Sequence, residues 1–382
     1  MDWSGEVDPT GLGPWGGARK LHLSQTPTPC FIDRMAERTH ESPLANRLRS
    51  ELEGDVLFDP LSRGIYSTDA SIYQIEPLGV VVPRSVQDVV RTVQIASDAG
   101  VTVVPRGGGT SQCGQTIGPG IVVDTSKYLR ALMAVDPEAG TAVVQPGLVL
   151  DHLNEALAEH RLFFPVDVAT ANRATLGGMA GNNSAGARSI RYGHTVEHVR
   201  AIEAVLADGS LARFGPAADQ APDGPAAGRW HASEGQPRVS ALSDEMAALH
   251  AREADELARR LPRVPRHVAG YNLHRMGRAE PNLADILVGS EGTLAFFTRL
   301  EVDLQPLPEA RVLGVCHFPS VRQALDAVQH IVTLNPSAVE LVDRARVVCG
   351  AAGSGWLGNG PRLDRPGLGR SPVRRVRRRR CR

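Results

Sequence analysis

The spacing of apolar residues predicts several helices along the chain. The clearest runs from Val86 to Ala96, where apolar residues recur at the interval of one helical turn. Ser85 followed by Asp88 has the pattern of a capping box at its start, and Gly100 is a typical residue at a helix end. Further helices are predicted over residues 44–52, 148–160 and 242–261, and in the second half of 311–332.

Shorter apolar runs predict strands between these helices. They lie at residues 101–105, 121–124, 286–289 and 293–304, at the start of 311–332, and in an extended stretch from Val56. Hairpins are predicted over 132–145 and over 199–214, the second turning at Asp208 and Gly209. Because strands, hairpins and helices follow one another without regular βαβ alternation, the pattern indicates an α+β fold rather than a Rossmann repeat.

Length and composition favour a folded protein of more than one domain. With 382 residues the chain is too long for one compact core and fits two or three domains. Lys plus Arg and Asp plus Glu number 42 each, so no net field draws the chain to nucleic acid or to an anionic membrane. The 5 cysteines form no C-x-x-C pair, which argues against a disulfide framework, a zinc ribbon and a cysteine-held iron–sulfur cluster. No apolar run approaches the roughly 18 residues of a membrane span, and no secretory signal is recognisable, so we expect a cytoplasmic protein.

Two glycine-rich stretches carry the most specific chemistry. PRGGGTSQCG (105–114) directly follows a predicted strand, and its consecutive glycines allow backbone N–H groups to converge on an anion. TLGGMAGNNSAGARS (175–189) again combines glycines with small polar side chains. Either stretch alone is compatible with an ordinary tight turn. Two of them, separated by a hairpin and a helix, indicate a long extended ligand that is bound at both ends.

Three other patterns in the same region are incomplete. The dinucleotide fingerprint G-x-G-x-x-G fails because Gln112 stands where its third glycine belongs, and the Walker pattern fails because Gln115 replaces its lysine. His194 to His198 match the H-x-x-E-H pattern of a class of zinc peptidases, with Glu197 as the base. A zinc hydrolase is therefore an alternative hypothesis, but it needs a helix that Gly193 and the β-branched residues after it disfavour.

Four blocks in register resemble a known family. They are PRGGGTSQCGQTIG with IVVDTSKY, VVQPGLVLDHLNEAL, FFPVDVATANRATLGGMAGNNSAGARSIRYGHTVEHV, and ILVGSEGTLAFFTRLEVDL. Together they are similar to the FAD-binding domain of the vanillyl-alcohol-oxidase (PCMH) type, and most of all to the FAD-linked D-2-hydroxyacid dehydrogenases, which act on D-lactate, glycolate or D-2-hydroxyglutarate. The resemblance covers roughly residues 76–345. It implies a two-subdomain FAD-binding fold followed by an α+β cap domain.

The resemblance also implies which residues contact FAD. Around the diphosphate they are Arg106, Gly107, Gly108, Gly109, Thr110 and Ser111, with Gly114 and Gln115 at the end of that loop. Along the ribityl and isoalloxazine side they are Pro165, Asp167, Thr170, Thr175, Gly177, Gly178, Asn182, Ser184 and Ala185. Val199, or its neighbour His198, lies by the adenine, and Glu291 and Gly292 lie near the flavin ring. Several relatives tether the flavin through a histidine in the first loop. Since Thr110 and Ser111 occupy that stretch here, we expect non-covalent FAD.

The implied activity is oxidation of a D-2-hydroxyacid to the 2-oxoacid, with hydride transfer to flavin N5. In the family a histidine usually accepts the hydroxyl proton and an arginine holds the substrate carboxylate, largely from the cap and from a late histidine-containing stretch. His317 and His330 are the histidines in the cap region here, and both are read as ordinary surface or core residues. No catalytic residue, no metal site and no electron acceptor is assigned. An FAD-binding chain without turnover is therefore the second hypothesis.

The domain boundaries follow from these patterns. Residues 1–45 are predicted to be a disordered leader, 46–305 the FAD-binding domain, 306–345 the start of a truncated cap, and 346–382 a tail. Residues 215–240 are predicted to be a surface insertion. Every charged residue of the tail except Asp364 is arginine, so it is either a basic arm for RNA or acidic lipid or the product of a frameshift. We favour the frameshift because the family pattern stops abruptly after Arg344.

Overall fold

The computed structural model describes residues 42–216, 236–264 and 266–343. The predicted leader, tail and surface insertion lie wholly or largely outside these residues. The helices are α1 (Pro43–Glu51), α2 (Pro60–Tyr66), α3 (Val86–Asp98), α4 (Leu150–Leu157), α5 (Leu176–Asn182), α6 (Ser189–Tyr192), α7 (Gln236–Arg260), α8 (Ala284–Leu287) and α9 (Val321–Ile331). Single 3-10 turns add Ala158–His160, Thr195–Glu197, Leu273–Gly277 and Val332–Leu334.

The strands form two main sheets and a short pair. They are β1 (Asp55–Leu57), β2 (Gly79–Val82), β3 (Val103–Arg106), β4 (Ile121–Asp124), β5 (Leu132–Asp136), β6 (Thr141–Val144), β7 (Leu162–Phe163), β8 (Val199–Val205), β9 (Leu211–Phe214), β10 (Phe296–Asp303) and β11 (Gln305–Pro306). The first sheet has the order β1-β2-β4-β3, the second β5-β6-β10-β8-β9, and β11 pairs with β7. Both predicted hairpins are confirmed as β5–β6 and β8–β9.

The first sheet is largely parallel because β2, β4 and β3 run in the same direction. Helix α3 connects β2 to β3, which makes one small βαβ unit within an otherwise mixed fold. Its apolar face packs under the sheet, where Val89 and Ile95 join Phe58 and Ile121 in one buried cluster. Phe296 of β10 joins the same cluster, so α3 lies between the two sheets and fixes one against the other.

The start of α3 confirms Ser85 as the N-cap residue but not the predicted reciprocal bond from Asp88 back to Ser85. Ser85 Oγ accepts a hydrogen bond from the Asp88 N–H at 3.1 Å, as an N-cap residue does. The Asp88 carboxylate, however, accepts from the backbone N–H of Arg84 at 2.8 Å and of Glu53 at 2.9 Å. It therefore ties the chain before β1 to the helix start rather than closing a reciprocal capping box on Ser85.

The second sheet is antiparallel throughout and carries the larger core. β10 lies at its centre, with Leu300 opposite Val144 of β6 on one side and Ile202 of β8 on the other. These side chains are buried together with residues of α4, α5 and α8. The α+β architecture built from two sheets agrees with the predicted two-subdomain fold.

Two predicted strands are wrong. Residues 286–289 form the end of the helical turn α8 and the bend after it, and Asn272 Nδ2 donates to the carbonyls of Asp285 and Val288 there. A short apolar run does not distinguish a buried strand from a buried helical turn. Residues 311–319 contain no strand because no described strand pairs with them, and the side chains of Val312 and Leu313 are exposed. Helix α9 after them is confirmed.

Within the described residues, no helix is both long and apolar enough to cross a bilayer.

Candidate functional site

Three segments enclose a cleft of ≈ 450 Å³ beside the end of β3 and the start of β10. The first is the glycine-rich loop after β3, which we call the first loop (residues 105–116). The second runs from Ala174 through α5 to Ala185 and is called the second loop. The third runs from the end of α8 into the start of β10 and contributes Glu291, Gly292, Ala295, Phe296 and Phe297. The two glycine-rich stretches therefore face a common cavity, as the sequence predicts for an extended ligand.

The first loop offers unused backbone donors. Among the described residues, no acceptor takes a hydrogen bond from the backbone N–H groups of Gly107 to Gln112. Gly109 has a φ of +60°, a conformation that glycine adopts without strain, and its carbonyl accepts from Ala70 N at 3.1 Å. Backbone N–H groups that are both unpaired and beside a cavity favour binding of an anion.

The glycines of the first loop are also required by packing. A Cβ on Gly107 would lie 2.1 Å from Thr175 Oγ1, and a Cβ on Gly108 would lie 2.2 Å from the Arg173 carbonyl oxygen. The first loop therefore contacts the start of the second loop with no space for a side chain. This close approach holds the two sides of the cleft at a fixed separation.

The glycines of the second loop differ in how closely other atoms approach them. Thr175 caps α5, where its Oγ1 accepts from Gly178 N at 3.3 Å. A Cβ on Gly177 would lie 2.5 Å from Pro146 Cβ, whereas a Cβ on Gly181 would meet no atom within 4 Å. Since Gly181 also lines the cleft, its missing side chain leaves room for a ligand there.

The third segment is joined to α5 by backbone hydrogen bonds. Gly289 N donates to Ala180 O and Glu291 N to Gly181 O, both at 2.9 Å. Glu291 has a φ of +53°, which is strained for a residue with a side chain. Partial burial raises the pKa of the Glu291 carboxyl above its ordinary value, and a hydrogen bond from Gln115 acts in the opposite direction. Strain at a cleft-lining carboxylate points to a functional position.

Arg106 lines the cleft, but its guanidinium is occupied elsewhere. Nη2 donates to the Thr68 carbonyl at 2.8 Å, and Nη1 lies 3.4 Å from the carbonyls of Tyr66 and Thr116. The guanidinium also stacks on the Tyr66 ring at 5.1 Å. Arg106 therefore connects the segment after α2 to the first loop. The hydrogen-bond donors that the first loop presents to the cleft are backbone N–H groups rather than the Arg106 guanidinium.

Most of the predicted cofactor contacts line the cleft. Those that do are Arg106, Gly107, Gly108, Gly109, Thr110, Ser111, Gln115, Thr170, Thr175, Gly177, Gly178, Asn182, Ser184, Ala185, Glu291 and Gly292. Those that do not are Gly114, Pro165, Asp167, His198 and Val199.

The five residues outside the cleft have structural surroundings. Gly114 lies against Tyr73, and the Asp167 carboxylate accepts from Arg188 N at 2.8 Å. Pro165 and Val199 are buried. His198 is buried with Nε2 2.6 Å from the Tyr192 carbonyl, and burial lowers the pKa of its imidazole.

Several lining residues were not predicted. They include Pro105, Gln112, Cys113, Thr116, Pro146, Val168, Met179, Gly181, Arg266, Phe296 and Phe297. The V-V-Q-P-G block could have indicated Pro146, and the glycines of 175–189 could have indicated Gly181. Arg266 follows the predicted insertion and has no local pattern that marks it.

The H-x-x-E-H segment does not form the helix that a zinc site of that class needs. Thr195–Glu197 is a single 3-10 turn, in which Glu197 accepts from His194 N at 2.7 Å and from Arg275 Nη1 at 2.8 Å. His198 Nε2 is taken by a backbone carbonyl. Within the described part of the chain, no group of three or more His, Cys, Asp or Glu side chains is placed to hold a metal ion.

The residues of the cleft fit a dinucleotide such as FAD. A diphosphate needs several hydrogen-bond donors, and the backbone from Gly107 to Gln112 has them without a lysine. The space beside Gly181, where no atom lies within 4 Å of its Cβ position, accommodates a bulky group. Phe297 and Val168 give the cleft an apolar lining. A polar end and a partly apolar end within one cleft match the two kinds of surface that FAD presents.

Comparison with known families supports this assignment. Residues 77–215 match the family model described as FAD binding domain. Residues 307–369 match the model described as FAD linked oxidases, C-terminal domain. The second match extends beyond Arg344, where the sequence pattern was predicted to stop, into residues that the structure does not describe.

Curated relatives give the same family. The chain is 34% identical over 304 residues to D-2-hydroxyglutarate dehydrogenase of Haemophilus influenzae, a match that covers 76% of this chain and 28% of the relative. It is 33% identical over 296 residues to the Escherichia coli protein of the same name, with 76% and 28% covered. A mitochondrial D-lactate dehydrogenase [cytochrome] of Arabidopsis thaliana is 29% identical over 272 residues, with 70% and 38% covered.

Solved structures share the fold. A crystal structure of alkyldihydroxyacetonephosphate synthase superposes with a TM-score of 0.53 at 20% identity, covering 77% of this chain and 46% of that one. The chain spans 28% of the length of the D-2-hydroxyglutarate dehydrogenases that it matches. From the two family models and these relatives together, the chain belongs to the FAD-linked oxidases, is similar in sequence to D-2-hydroxyglutarate and D-lactate dehydrogenases, and has FAD as its cofactor.

Proposed function

We propose that the protein oxidises a D-2-hydroxyacid, of the D-lactate or D-2-hydroxyglutarate type, to the corresponding 2-oxoacid. The observation that carries the proposal is the unpaired backbone from Gly107 to Gln112 beside the cleft. The names of the matched relatives supply the substrate class. When bound, FAD would supply the hydride acceptor for the oxidation at C2, and the protein supplies binding, orientation and proton transfer.

The first and second loops have separable roles in this proposal. The N–H groups of the first loop donate to the FAD diphosphate, and the contact of Gly107 with Thr175 fixes their position. The wall at Gly181 and Asn182 borders the ribityl and ring end of the cofactor. Since Thr110 and Ser111, and no histidine, line the first loop, the cofactor is held without a covalent bond.

The acid–base residue of the reaction is left unassigned. Among the described residues that line the cleft, Glu291 is the one carboxylate, and none is a histidine. His317 and His330 lie outside the lining and are exposed. This favours a second candidate function, in which the chain binds FAD but does not turn over a hydroxyacid.

The domain division is part of the same proposal. Residues 46–305 form the FAD-binding domain, and residues from 306 begin the cap, whose α9 is amphipathic with exposed Val321 and Leu325. The electron acceptor is left unassigned, and a cytoplasmic location remains a prediction from the sequence.

The two candidate functions separate in one set of measurements on the full chain. Purified protein should be yellow or gain flavin absorbance on addition of FAD, and acid precipitation should release all flavin to the supernatant. D-Lactate or D-2-hydroxyglutarate, with L-lactate and L-2-hydroxyglutarate as controls, should then reduce an artificial dye. Flavin binding without dye reduction would select the second function, and a colourless protein that FAD does not alter would exclude both.

A further inference from the structure

The charged side chains that line the cleft leave one cation without a partner. Among the described residues these side chains are Arg106, Glu291 and Arg266. Arg106 donates to backbone carbonyls, and Glu291 accepts from Gln115. In the same described part of the chain, no carboxylate or carbonyl accepts a hydrogen bond from the Arg266 guanidinium, and no aromatic ring lies under it.

The fold holds the segment of Arg266 beside the third side of the cleft. Tyr271 Oη lies 2.8 Å from Thr293 Oγ1, and Asn272 Nδ2 donates to the Val288 carbonyl at 2.8 Å. A Cβ on Gly292 would in turn lie 2.7 Å from Pro105, so the third segment abuts the first loop. The chain that follows Arg266 is thus anchored to the third segment of the cleft, which also contacts Pro105 at the start of the first loop.

We propose that Arg266 is an anion-binding residue of the cleft, whose guanidinium takes two oxygens of a bound carboxylate or phosphate. This inference rests on the proposed function, since that function brings two anions to the cleft: the FAD diphosphate and the carboxylate of the hydroxyacid. A planar guanidinium donates two parallel hydrogen bonds to either group, which an ammonium cannot reproduce. Its position at the cleft, without an internal partner, leaves those donors available.

The test uses three variants of the full chain. Arg266→Ala removes the guanidinium, Arg266→Lys keeps the charge but not the fork, and Arg263→Ala is the matched control. Arg263 lies three positions earlier, is exposed, and does not line the cleft. FAD affinity is measured by flavin fluorescence titration of each protein. Affinity for oxalate, a small dianion with adjacent oxygens like a 2-hydroxyacid, is measured from the change in the flavin absorption spectrum.

The result distinguishes the two sources of the anion. A loss of FAD affinity of about tenfold to a hundredfold in Arg266→Ala, with partial recovery in Arg266→Lys, assigns Arg266 to the diphosphate. Unchanged FAD affinity with a comparable loss of oxalate affinity assigns it to the substrate carboxylate.

Other outcomes overturn the inference. The inference is wrong if the unmodified protein and all variants bind FAD with the same affinity and also bind oxalate with the same affinity. It is also wrong if the unmodified protein does not bind oxalate and Arg266→Ala leaves the FAD affinity unchanged. The same loss in Arg263→Ala also overturns it, because the effect would then be one of general surface charge. If the unmodified protein binds FAD and oxidises the hydroxyacid, and Arg266→Ala has the same affinities and the same activity, this inference is wrong but the proposed function stands. Failure of the unmodified protein to bind FAD rejects the proposed function and the inference together.

Discussion

Gly181→Leu should weaken FAD binding without damaging the protein. Gly181 lies in α5, lines the cleft, and has no atom within 4 Å of the position of its missing Cβ. A leucine there would project into the cleft rather than into the core. Gly64 in α2 offers a matched control, because it is also helical, also has open space at the Cβ position, and does not line the cleft.

The expected energies have opposite signs for the free and the bound protein. Leucine is favoured over glycine in a helix by about 0.5–1 kcal/mol, so the free energy of unfolding of the flavin-free variant should stay level or rise. Forcing extra methylenes against a well-fitted neighbour costs about 1–3 kcal/mol. If that neighbour is FAD, its dissociation constant should rise by about fivefold to 150-fold. Gly64→Leu should show the first effect only.

Two measurements are sufficient. Urea unfolding of the flavin-free proteins gives their free energies of unfolding, and flavin fluorescence titration gives the FAD dissociation constants. If Gly181→Leu and Gly64→Leu bind FAD equally well, the cofactor does not border α5 and its assignment to this cleft is wrong. If instead flavin-free Gly181→Leu has a lower free energy of unfolding than the unmodified protein, the leucine side chain clashes with protein atoms, and the inferred space beside Gly181 does not exist.

Three further changes test the loops and the buried histidine. Gly107→Ala should abolish FAD binding and lower the free energy of unfolding by about 1–3 kcal/mol, because its Cβ would clash with Thr175 Oγ1. Adding Thr175→Ala removes the clashing oxygen and should restore part of the FAD affinity. If the double variant binds FAD no better in the fluorescence titration, the packing argument is wrong. Glu291→Gly should raise the free energy of unfolding, measured in urea, by about 1 kcal/mol because it relieves the strain of a φ of +53°. A fall in that free energy would show that the Glu291 side chain stabilises the turn by more than the strain costs. Because burial lowers the pKa of His198 in the folded state, the unfolded state binds the extra proton first, and stability should fall as the pH drops below about 6.5. His198→Gln, which can still donate to the Tyr192 carbonyl, should show a shallower fall between pH 7 and 5.5 in thermal unfolding; an unchanged slope would assign the effect to other groups.

The elements that the sequence predicts well are those whose pattern is local. Helix α3 has a cap residue, a periodic apolar face and a terminal glycine within one segment, and the hairpin turning at Asp208 and Gly209 is equally self-contained. Residues 286–289 fail because a run of four apolar residues is buried equally well in a helical turn. Parallel pairing of β3 with β4 is not visible in either strand, since it depends on α3 returning the chain to the same sheet.

The site divides in the same way. Glycine-rich composition predicts both loops, because only glycine permits the approach of Gly108 to the Arg173 carbonyl. Composition does not show that the guanidinium of Arg106 points to the carbonyls of Tyr66 and Thr68, which lie far from it in sequence. Nor does it show that Arg266 reaches the cleft, since its position depends on contacts of the residues after it with the third segment.

The arrangement of charge explains how the cleft can bind a dianionic diphosphate without the lysine of a phosphate-binding loop. Backbone N–H dipoles are fixed by the fold and need no counter-charge when the ligand is absent, so the free protein does not bury an unpaired cation. Arg106 contributes indirectly, because its bonds to carbonyls before the first loop hold that loop in place. Since dipoles are less sensitive than surface charges to dissolved salt, FAD affinity that rests on the first loop alone should change little with ionic strength, whereas affinity that also uses exposed Arg266 should fall as salt increases. The salt dependence of FAD binding in the unmodified protein and in Arg266→Ala therefore separates the two contributions, and a steep dependence in both would mean that neither the first loop nor Arg266 dominates binding.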